Sequence, residues 1–246
     1  MSSVVKYSLF ELKKLTVAPI RTNNYNGKSA YVNYDGDKKS LILQTPKMKM
    51  PYAMSEYKPE NGDDSKYTLS LAFNRDDPKI KTFYDKMKEL DKELVRLGVK
   101  NSLKWFKKKQ KKEVIEALYS PIIKYYVDKE TGEPSDRFSP TIKLKLPRRD
   151  RKFSCKTFND DRELVDLETV VGKGATVQAL IRCTGVWFAG GKFGVSWSVS
   201  QMKVTPNLNT LDNYGFIDSE DEDEDDEEQN DNQVESSTDS ESEDSD

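Results

Sequence analysis

The chain has 246 residues, of which 43 are Asp or Glu and 40 are Lys or Arg, so its formal net charge is -3. It contains no histidine and only two cysteines, which excludes His-based zinc sites, Cys₄ zinc sites and catalytic triads. We find no phosphate-binding glycine loop, no secretory signal pattern and no apolar run of the roughly 18–20 residues that span a membrane. We therefore expect no enzyme, catalytic residue, metal, cofactor or membrane contact, and a reducing, intracellular environment.

The first 75 residues are predicted to be rich in strands. Apolar and β-branched runs at residues 7–12, 30–34, 40–44 and 67–73 are separated by clusters of Asn, Gly and Asp, which is typical of strands joined by turns. In residues 67–73, Tyr67, Leu69 and Leu71 alternate with Thr68 and Ser70. This two-residue period predicts a strand that is buried on one face.

Two helices are predicted to follow. Asp77 is a suitable N-cap, Pro78 a suitable first residue and Gly98 a suitable end. Between them, apolar residues recur every three or four positions: Ile80, Phe83, Met87, Leu90, Leu94 and Leu97. A second helix is predicted from after Ser102 to about residue 119, and six lysines would give it a basic stripe: Lys104, Lys107, Lys108, Lys109, Lys111 and Lys112. A solvated helix face is an equally good interpretation of this stripe.

Strand patterns resume at residues 122–127, 141–146 and 153–158, and end in a long hairpin over residues 176–188 and 193–204. Gly190 and Gly191 supply the positive φ values that its tight turn requires. Many short strands with one helical interruption predict a mainly β fold. We expect a five-stranded OB-type Greek-key barrel with a helical insertion at about residues 77–120.

The charge is divided sharply along the chain. Residues 218–246 contain 17 acidic and no basic side chains, so residues 1–217 hold 26 acidic and 40 basic ones, a net charge of +14. A basic body favours a polyanion, and the tail is an attached polyanion that can compete for the same surface. Because residues 218–246 contain no aromatic residue and one aliphatic, they are predicted to be disordered. We assign residues 1–211 to an OB-type nucleic-acid-binding domain and 212–246 to a disordered acidic tail.

The tail also contains candidate phosphorylation sites. Ser219, Thr238 and Ser240 each have a glutamate three residues later, the pattern that acidophilic kinases favour. A phosphate on any of them would add about -1.5 to -2 charges to the tail.

Proteins that hold single strands combine cations for the phosphates with aromatic faces for unpaired bases. Both occur together in residues 45–57, 143–153 and 187–197, and lysines follow in the second helix. The candidate nucleic-acid-binding residues are Lys47, Lys49, Tyr52, Lys107, Lys108, Lys143, Lys145, Arg148, Arg149, Arg151, Lys152, Phe153, Trp187, Phe188 and Lys192. Tyr52 and Phe188 are the preferred stacking residues, while core packing is an alternative for each hairpin aromatic.

Two segments, TPKMKMPYAM (residues 45–54) and GVWFAGGKFGVSWSVSQMKV (residues 185–204), carry a family resemblance when combined with the acidic tail. They resemble the OB-fold single-stranded DNA-binding proteins of nucleocytoplasmic large DNA viruses, which are similar to the podophage-type replication single-strand binders. The resemblance covers most of residues 1–205. It implies sequence-independent single-stranded DNA binding in DNA replication, recombination and repair, and a tail that shields the groove and recruits replication proteins. It also implies a location in the host cytoplasm, at a viral replication site, or in the nucleus. Whether the chain forms a homodimer is left open.

Two other functions stay open at this point. One is an acidic-tailed protein like the histone chaperones, although such a protein has no need of a body at +14. The other is an RNA-binding regulator, because discrimination of RNA from DNA depends on contacts to the 2′-hydroxyl that a sequence does not reveal.

Overall fold

The computed structural model describes residues 4–22, 27–36, 38–60 and 64–207. The chain divides into two units, Met1–Leu208 and Asn209–Asp246, and the second lies outside the described residues. The predicted disordered tail, with Ser219, Thr238 and Ser240, therefore lies outside them as well.

The strands of the first half are short. They are β1 (Val4–Lys6), β2 (Leu15–Val17), β3 (Arg21–Thr22), β4 (Lys28–Ala30), β5 (Val32–Tyr34), β6 (Ile42–Gln44), β7 (Met48–Lys49), β8 (Ser55–Tyr57) and β9 (Lys66–Ala72). Residues 7–12, predicted as a strand, instead contain the 3₁₀ turn Tyr7–Leu9 and the start of another, Leu12–Lys14. Tyr7 and Phe10 are buried there, so the apolar run fills the core without joining a ladder.

The remaining elements follow in chain order. The helices are α1 (Pro78–Lys100), α2 (Ser102–Phe106), α3 (Lys112–Leu118) and α4 (Leu167–Val170). The strands are β10 (Tyr119–Ser120), β11 (Ile123–Lys124), β12 (Tyr126–Val127), β13 (Pro134–Ser135), β14 (Thr141–Leu146), β15 (Arg148–Arg149), β16 (Lys152–Phe153), β17 (Lys156–Phe158), β18 (Leu164–Val165), β19 (Thr176–Ala189) and β20 (Lys192–Thr205).

One large sheet contains most of these strands, with the main order β1-β6-β19-β20-β14-β9-β8, while β2-β5, β12-β13 and β15-β16 form separate two-stranded sheets. The β19–β20, β14–β9 and β9–β8 pairs are antiparallel, whereas β14 runs parallel to β20. The prediction of a mainly β chain with few helices is confirmed at this level. The finer prediction, a five-stranded OB-type Greek-key barrel, stays a prediction, because short strands such as β4, β7, β10 and β17 also branch from this order.

Helix α1 begins as predicted and ends later than predicted. The Asp77 carboxylate accepts hydrogen bonds from the backbone N–H groups of Lys79 (2.7 Å) and Ile80 (3.3 Å), satisfying donors that have no partner within the helix. Gly98 does not end the helix, which continues to Lys100. A Cβ atom at Gly98 would lie 2.8 Å from Ile115 Cγ2 and 2.9 Å from Phe193 Cζ. Because Gly98 has no side chain, α1 can pack closely against Ile115 of α3 and Phe193 of β20.

The second predicted helix is interrupted. Helix α2 ends at Phe106, Lys107 adopts a left-handed conformation (φ 63°), and α3 begins only at Lys112. The lysine run thus forms the break between two short helices and no continuous basic stripe. Like charges four residues apart disfavour a helix, and the backbone N–H of Gln110 donates to the Ser102 hydroxyl, 3.3 Å away, which closes the loop.

The β19–β20 hairpin turns where predicted, with Gly190 at φ 56° and Gly191 at φ 76°. The ladder of β19 shifts register between Cys183 and Gly185. Before this bulge the odd-numbered residues of β19 are buried, and after it Val186 is buried. A bulge of this kind exchanges the two faces of the strand, and this exchange decides which aromatic residues reach the surface.

Candidate nucleic-acid interface

A groove of about 920 Å³ crosses the sheet where β9, β14, β20 and the end of β19 lie side by side. Serines and threonines contribute much of its lining, together with four lysines and four aromatic residues: Lys66, Lys124, Lys143, Lys145, Tyr57, Tyr67, Trp187 and Trp197. Among the described residues that line it, there is no Asp or Glu. A groove of this composition can bind a polyanion whose own aromatic rings stack on the protein's aromatic side chains.

Strand register places the lysines. Along β14, Ile142, Leu144 and Leu146 are buried, so alternation directs Lys143 and Lys145 to the opposite face. Lys143 lies opposite Ser70 of β9, while Lys145 lies opposite both Thr68 of β9 and Ser198 of β20. The prediction that the β14 lysines share one face is confirmed, and that face is the groove.

These lysines are crowded enough to perturb one another. Burial is the main cause that lowers the pKa of Lys124; Asp91 opposes this, and the charges of Lys143 and Lys192 lower it further. The pKa of Lys145 is also lowered, first by burial and then by Lys66. These lysines are partly desolvated and repel one another, which destabilises their charged forms. A polyanion bound nearby would stabilise those charged forms.

Trp187 lies across β20 at the side of the groove. It pairs with Gly194, where a Cβ atom would lie 2.9 Å from Trp187 Cζ2 and 2.8 Å from the Ser120 carbonyl oxygen. Because Gly194 has no side chain, the indole of Trp187 can approach the backbone of β20. Trp187 is half-buried and lines the groove. Its side chain is thus held in place and accessible, as a stacking platform requires.

Phe188 does not have the stacking position that the sequence suggested. Its ring centroid lies 5.3 Å from that of Trp105, 6.0 Å from that of Phe106 and 6.2 Å from that of Phe193. It therefore packs in an aromatic cluster beneath α2, on the same face of β19 as buried Val186. The interpretation of Phe188 as a core residue is the one that the structure supports, and Trp187 becomes the stacking candidate.

The basic hairpin β15–β16 lies at one end of the groove. Arg148 Nη1 donates to the Tyr67 hydroxyl (2.8 Å), which donates to Glu56 Oε1 (2.7 Å). The Arg148 guanidinium lies 5.0 Å from the Tyr67 ring centroid and 5.5 Å from that of Phe153. Arg148 and Phe153 both contact the ring of Tyr67 and therefore hold this groove residue in place. The other cations of the hairpin are exposed beside them: Arg149, Arg151 and Lys152.

Several predicted site residues lie outside the groove lining. Lys49 pairs with Thr176 at the start of β19, eleven residues before Trp187 and thus about 36 Å away along the strand. Lys47 and Tyr52 flank it in sequence, and Tyr52 is 56% exposed. Lys107 and Lys108 are exposed in the break after α2. The structure brings together Lys143, Lys145 and Trp187, with Lys192 and the β15–β16 hairpin close by.

A family model described as "Family of unknown function (DUF5871)" matches residues 78–218, more than half of the chain. The chain belongs to this family. The DUF5871 match runs from α1 through β20, so it includes Lys124, Lys143, Lys145 and Trp187 of the groove. No curated protein matches the sequence.

Among solved structures, this DUF5871 chain is similar to the single-stranded DNA-binding protein from bacteriophage Enc34 in complex with ssDNA. The identity is 16%, the TM-score is 0.44, and the match covers 80% of this chain and 98% of the phage protein. It is also similar to gp2.5, a single-stranded DNA-binding protein encoded by bacteriophage T7, at 14% identity and a TM-score of 0.41, covering 72% and 98% of the two chains.

Sequence reasoning missed three charged or aromatic groove residues of the DUF5871 chain, Lys66, Tyr67 and Lys124, and included Tyr57 only as part of the candidate segment 45–57. Lys66 is two residues before Thr68, so extending the predicted alternation of β9 by one step would have placed it on the lysine face. Lys124 gave no such indication, because the two-residue strand β11 is too short to show a period.

Across the described ranges, no group of three or more Cys, Asp or Glu side chains is arranged to hold a metal ion. The part of the chain that the structure describes also has no helix both long enough and apolar enough to cross a membrane.

Proposed function

We propose that the groove binds single-stranded DNA without base preference, in support of DNA replication, recombination and repair. The observation that carries this proposal is the joint presence of crowded lysines and accessible aromatic residues in one groove, whose described lining residues include no carboxylate. Lysines bind phosphates of any sequence, and an aromatic face stacks on any base, contributing about 1–3 kcal/mol per base.

The aromatic residues favour a single strand over a duplex. In a duplex each base is already stacked on its neighbours, so its face cannot reach a protein ring. Tyr57 is 61% exposed at the groove and Trp187 lines it. Such rings contribute binding energy only when bases are unpaired, whereas the lysines attract both forms.

A salt-dependent titration of the full chain with single- and double-stranded oligonucleotides tests this function. If the four groove lysines each neutralise one phosphate, the logarithm of affinity falls with the logarithm of salt concentration with a slope of roughly -3. We expect this slope for single strands, and weaker binding to duplex of the same length. A flat salt response, or tighter binding to duplex, would contradict the proposal.

The same proposal assigns two roles to the acidic tail: competition with DNA for the groove and recruitment of replication proteins. Residues 218–246 carry 17 negative charges covalently attached to a body at +14. A tethered competitor acts at a high effective concentration, so weak ligands such as duplex are displaced before tight ones. The origin in a large DNA virus, a homodimer, and action in the host cytoplasm or nucleus are further parts of this proposal.

Ending the chain at residue 217 is expected to raise single-strand affinity, most of all at low salt, where charges are least screened. Duplex affinity should rise by a larger factor. The measurement compares the two chain lengths in parallel titrations at about 50 mM and 200 mM salt. Equal affinities at the lower salt concentration would show that the tail does not compete, and would leave the groove proposal intact.

A further inference from the structure

A second depression, which we call the trough, lies between α1, α3 and the segment from β10 to β11, and has a volume of about 820 Å³. Its apolar lining includes Val95, Val99, Pro121, Ile123 and Tyr125. Val95 and Val99 are half-buried and Tyr125 is 37% exposed. A concave, mainly apolar surface bordered by a few charged groups is the usual form of a binding site.

Cations border the trough along α1. Lys88, Lys92, Arg96 and Lys100 recur every four residues, all are exposed, and all line the trough. This cationic row spans about 18 Å of helix, and like charges at this spacing destabilise a helix. Arg96 is paired with Glu93, whereas the three lysines of the row have no ion pair with any described residue. The row therefore has free positive charge beside an apolar floor.

The acidic side chains of the trough are already engaged. Asp91 accepts hydrogen bonds from the Tyr119 hydroxyl (2.6 Å) and from the backbone N–H groups of Ile122 (2.8 Å) and Ile123 (3.4 Å). On the other border, Glu116 lies 3.5 Å from Lys112 Nζ. Neither carboxylate balances the cationic row, so the trough attracts negative charge.

The trough is separated from the groove by one short segment of chain. Ser120, Ile122 and Lys124 line the groove, Tyr119 and Ile123 line the trough, and Pro121 lines both. The two sites therefore adjoin along residues 119–124 and share no lysine.

We propose that the trough is a docking site for an acidic peptide segment of a partner protein. Apolar side chains of that segment would enter the floor, and its carboxylates would face the cationic row. The row is long enough for about five or six residues of extended chain. A nucleic acid fits less well, because unpaired bases stack on aromatic rings, and the described floor is mostly aliphatic, with Tyr125 as its exposed ring. Aliphatic floors accept apolar side chains of proteins.

The test uses the full chain and a fluorescently labelled synthetic peptide of about ten residues that alternates Leu or Phe with Asp or Glu. Fluorescence anisotropy is expected to show saturable binding, and a peptide with Ser in place of Leu and Phe should bind much more weakly. Lys92→Glu combined with Lys100→Glu should reduce affinity by at least about tenfold. The matched control, Lys79→Glu with Lys129→Glu, makes the same change in net charge at exposed positions outside the trough lining and should have little effect.

Three results would overturn the proposal. The first is no saturable binding of the alternating peptide, and the second is equal loss of peptide affinity in the trough and control variants. The third is that Lys92→Glu with Lys100→Glu weakens binding of a single-stranded oligonucleotide as strongly as that of the peptide, which would assign the cationic row to nucleic acid. Lys143→Ala with Lys145→Ala, in the groove, should leave peptide binding unchanged, so failure of the trough and failure of the groove are distinguishable.

Discussion

Replacing Lys143 and Lys145 together by alanine is expected to weaken single-strand binding by about tenfold or more and to make the salt slope less steep by roughly 1.4. Both side chains line the groove, and neither forms an ion pair within the described residues. Titrations of variant and parent over a range of salt concentrations measure both quantities.

The same double variant should fold at least as stably as the parent. The lowered pKa of Lys145 means that its charged form is disfavoured in the folded chain, first by burial and then by Lys66. A group of this kind opposes folding at pH values below its folded pKa, because the unfolded chain binds the proton more tightly. Denaturation at neutral pH should therefore show no loss of stability, which separates a binding defect from a folding defect.

Lys47→Ala with Lys49→Ala is the matched control. It removes the same charge from exposed residues at the other end of β19. The sequence alone predicted phosphate contacts for all four lysines, whereas the structure brings only Lys143 and Lys145 to the groove. If the two double variants lose equal affinity, net charge determines binding and the groove does not.

Trp187→Ala is expected to reduce single-strand affinity by about 1–3 kcal/mol with the salt slope unchanged, because a stacking ring neutralises no phosphate. Its neighbour Phe188 provides the contrast. Phe188→Ala removes a ring from the cluster with Trp105, Phe106 and Phe193. It should lower the free energy of unfolding by about 2–3 kcal/mol, less than for a fully buried ring because Phe188 is half-buried, and leave the affinity of the folded fraction unaltered.

Urea denaturation and oligonucleotide titration of both variants distinguish these outcomes. A Phe188→Ala variant that folds normally but loses single-strand affinity would restore the original stacking interpretation of Phe188. A Trp187→Ala variant with unchanged affinity would show that the indole supports β20 and does not contact bases.

Features that depend on local sequence were predictable. The N-cap and buried face of α1, the glycine turn of the last hairpin and the alternation of β14 all follow from residues close together in the chain. For the same reason, Lys143 and Lys145 could be placed on one exposed face before the partners of β14 were known.

Features that depend on distant pairing were not predictable. The alternation of β19 suggested which hairpin aromatics face outward, but the bulge between Cys183 and Gly185 exchanges its faces, and α2 then covers Phe188. Gly185 has φ 115°, and a Cβ atom there would lie 2.5 Å from the Ala30 carbonyl oxygen. The close approach of β4 thus accompanies the bulge, and nothing near Gly185 in the sequence indicates it.

Ultraviolet crosslinking of the full chain to a single-stranded oligonucleotide, followed by peptide mapping, tests the groove most directly. Tyr52 and Tyr57 are five residues apart and similarly exposed, at 56% and 61%, but only Tyr57 lines the groove. We predict crosslinks at Tyr57, Tyr67 and Trp187, and none at Tyr52. Crosslinks at Tyr52 without any at the three groove aromatics would contradict the assignment of single-stranded DNA to this groove.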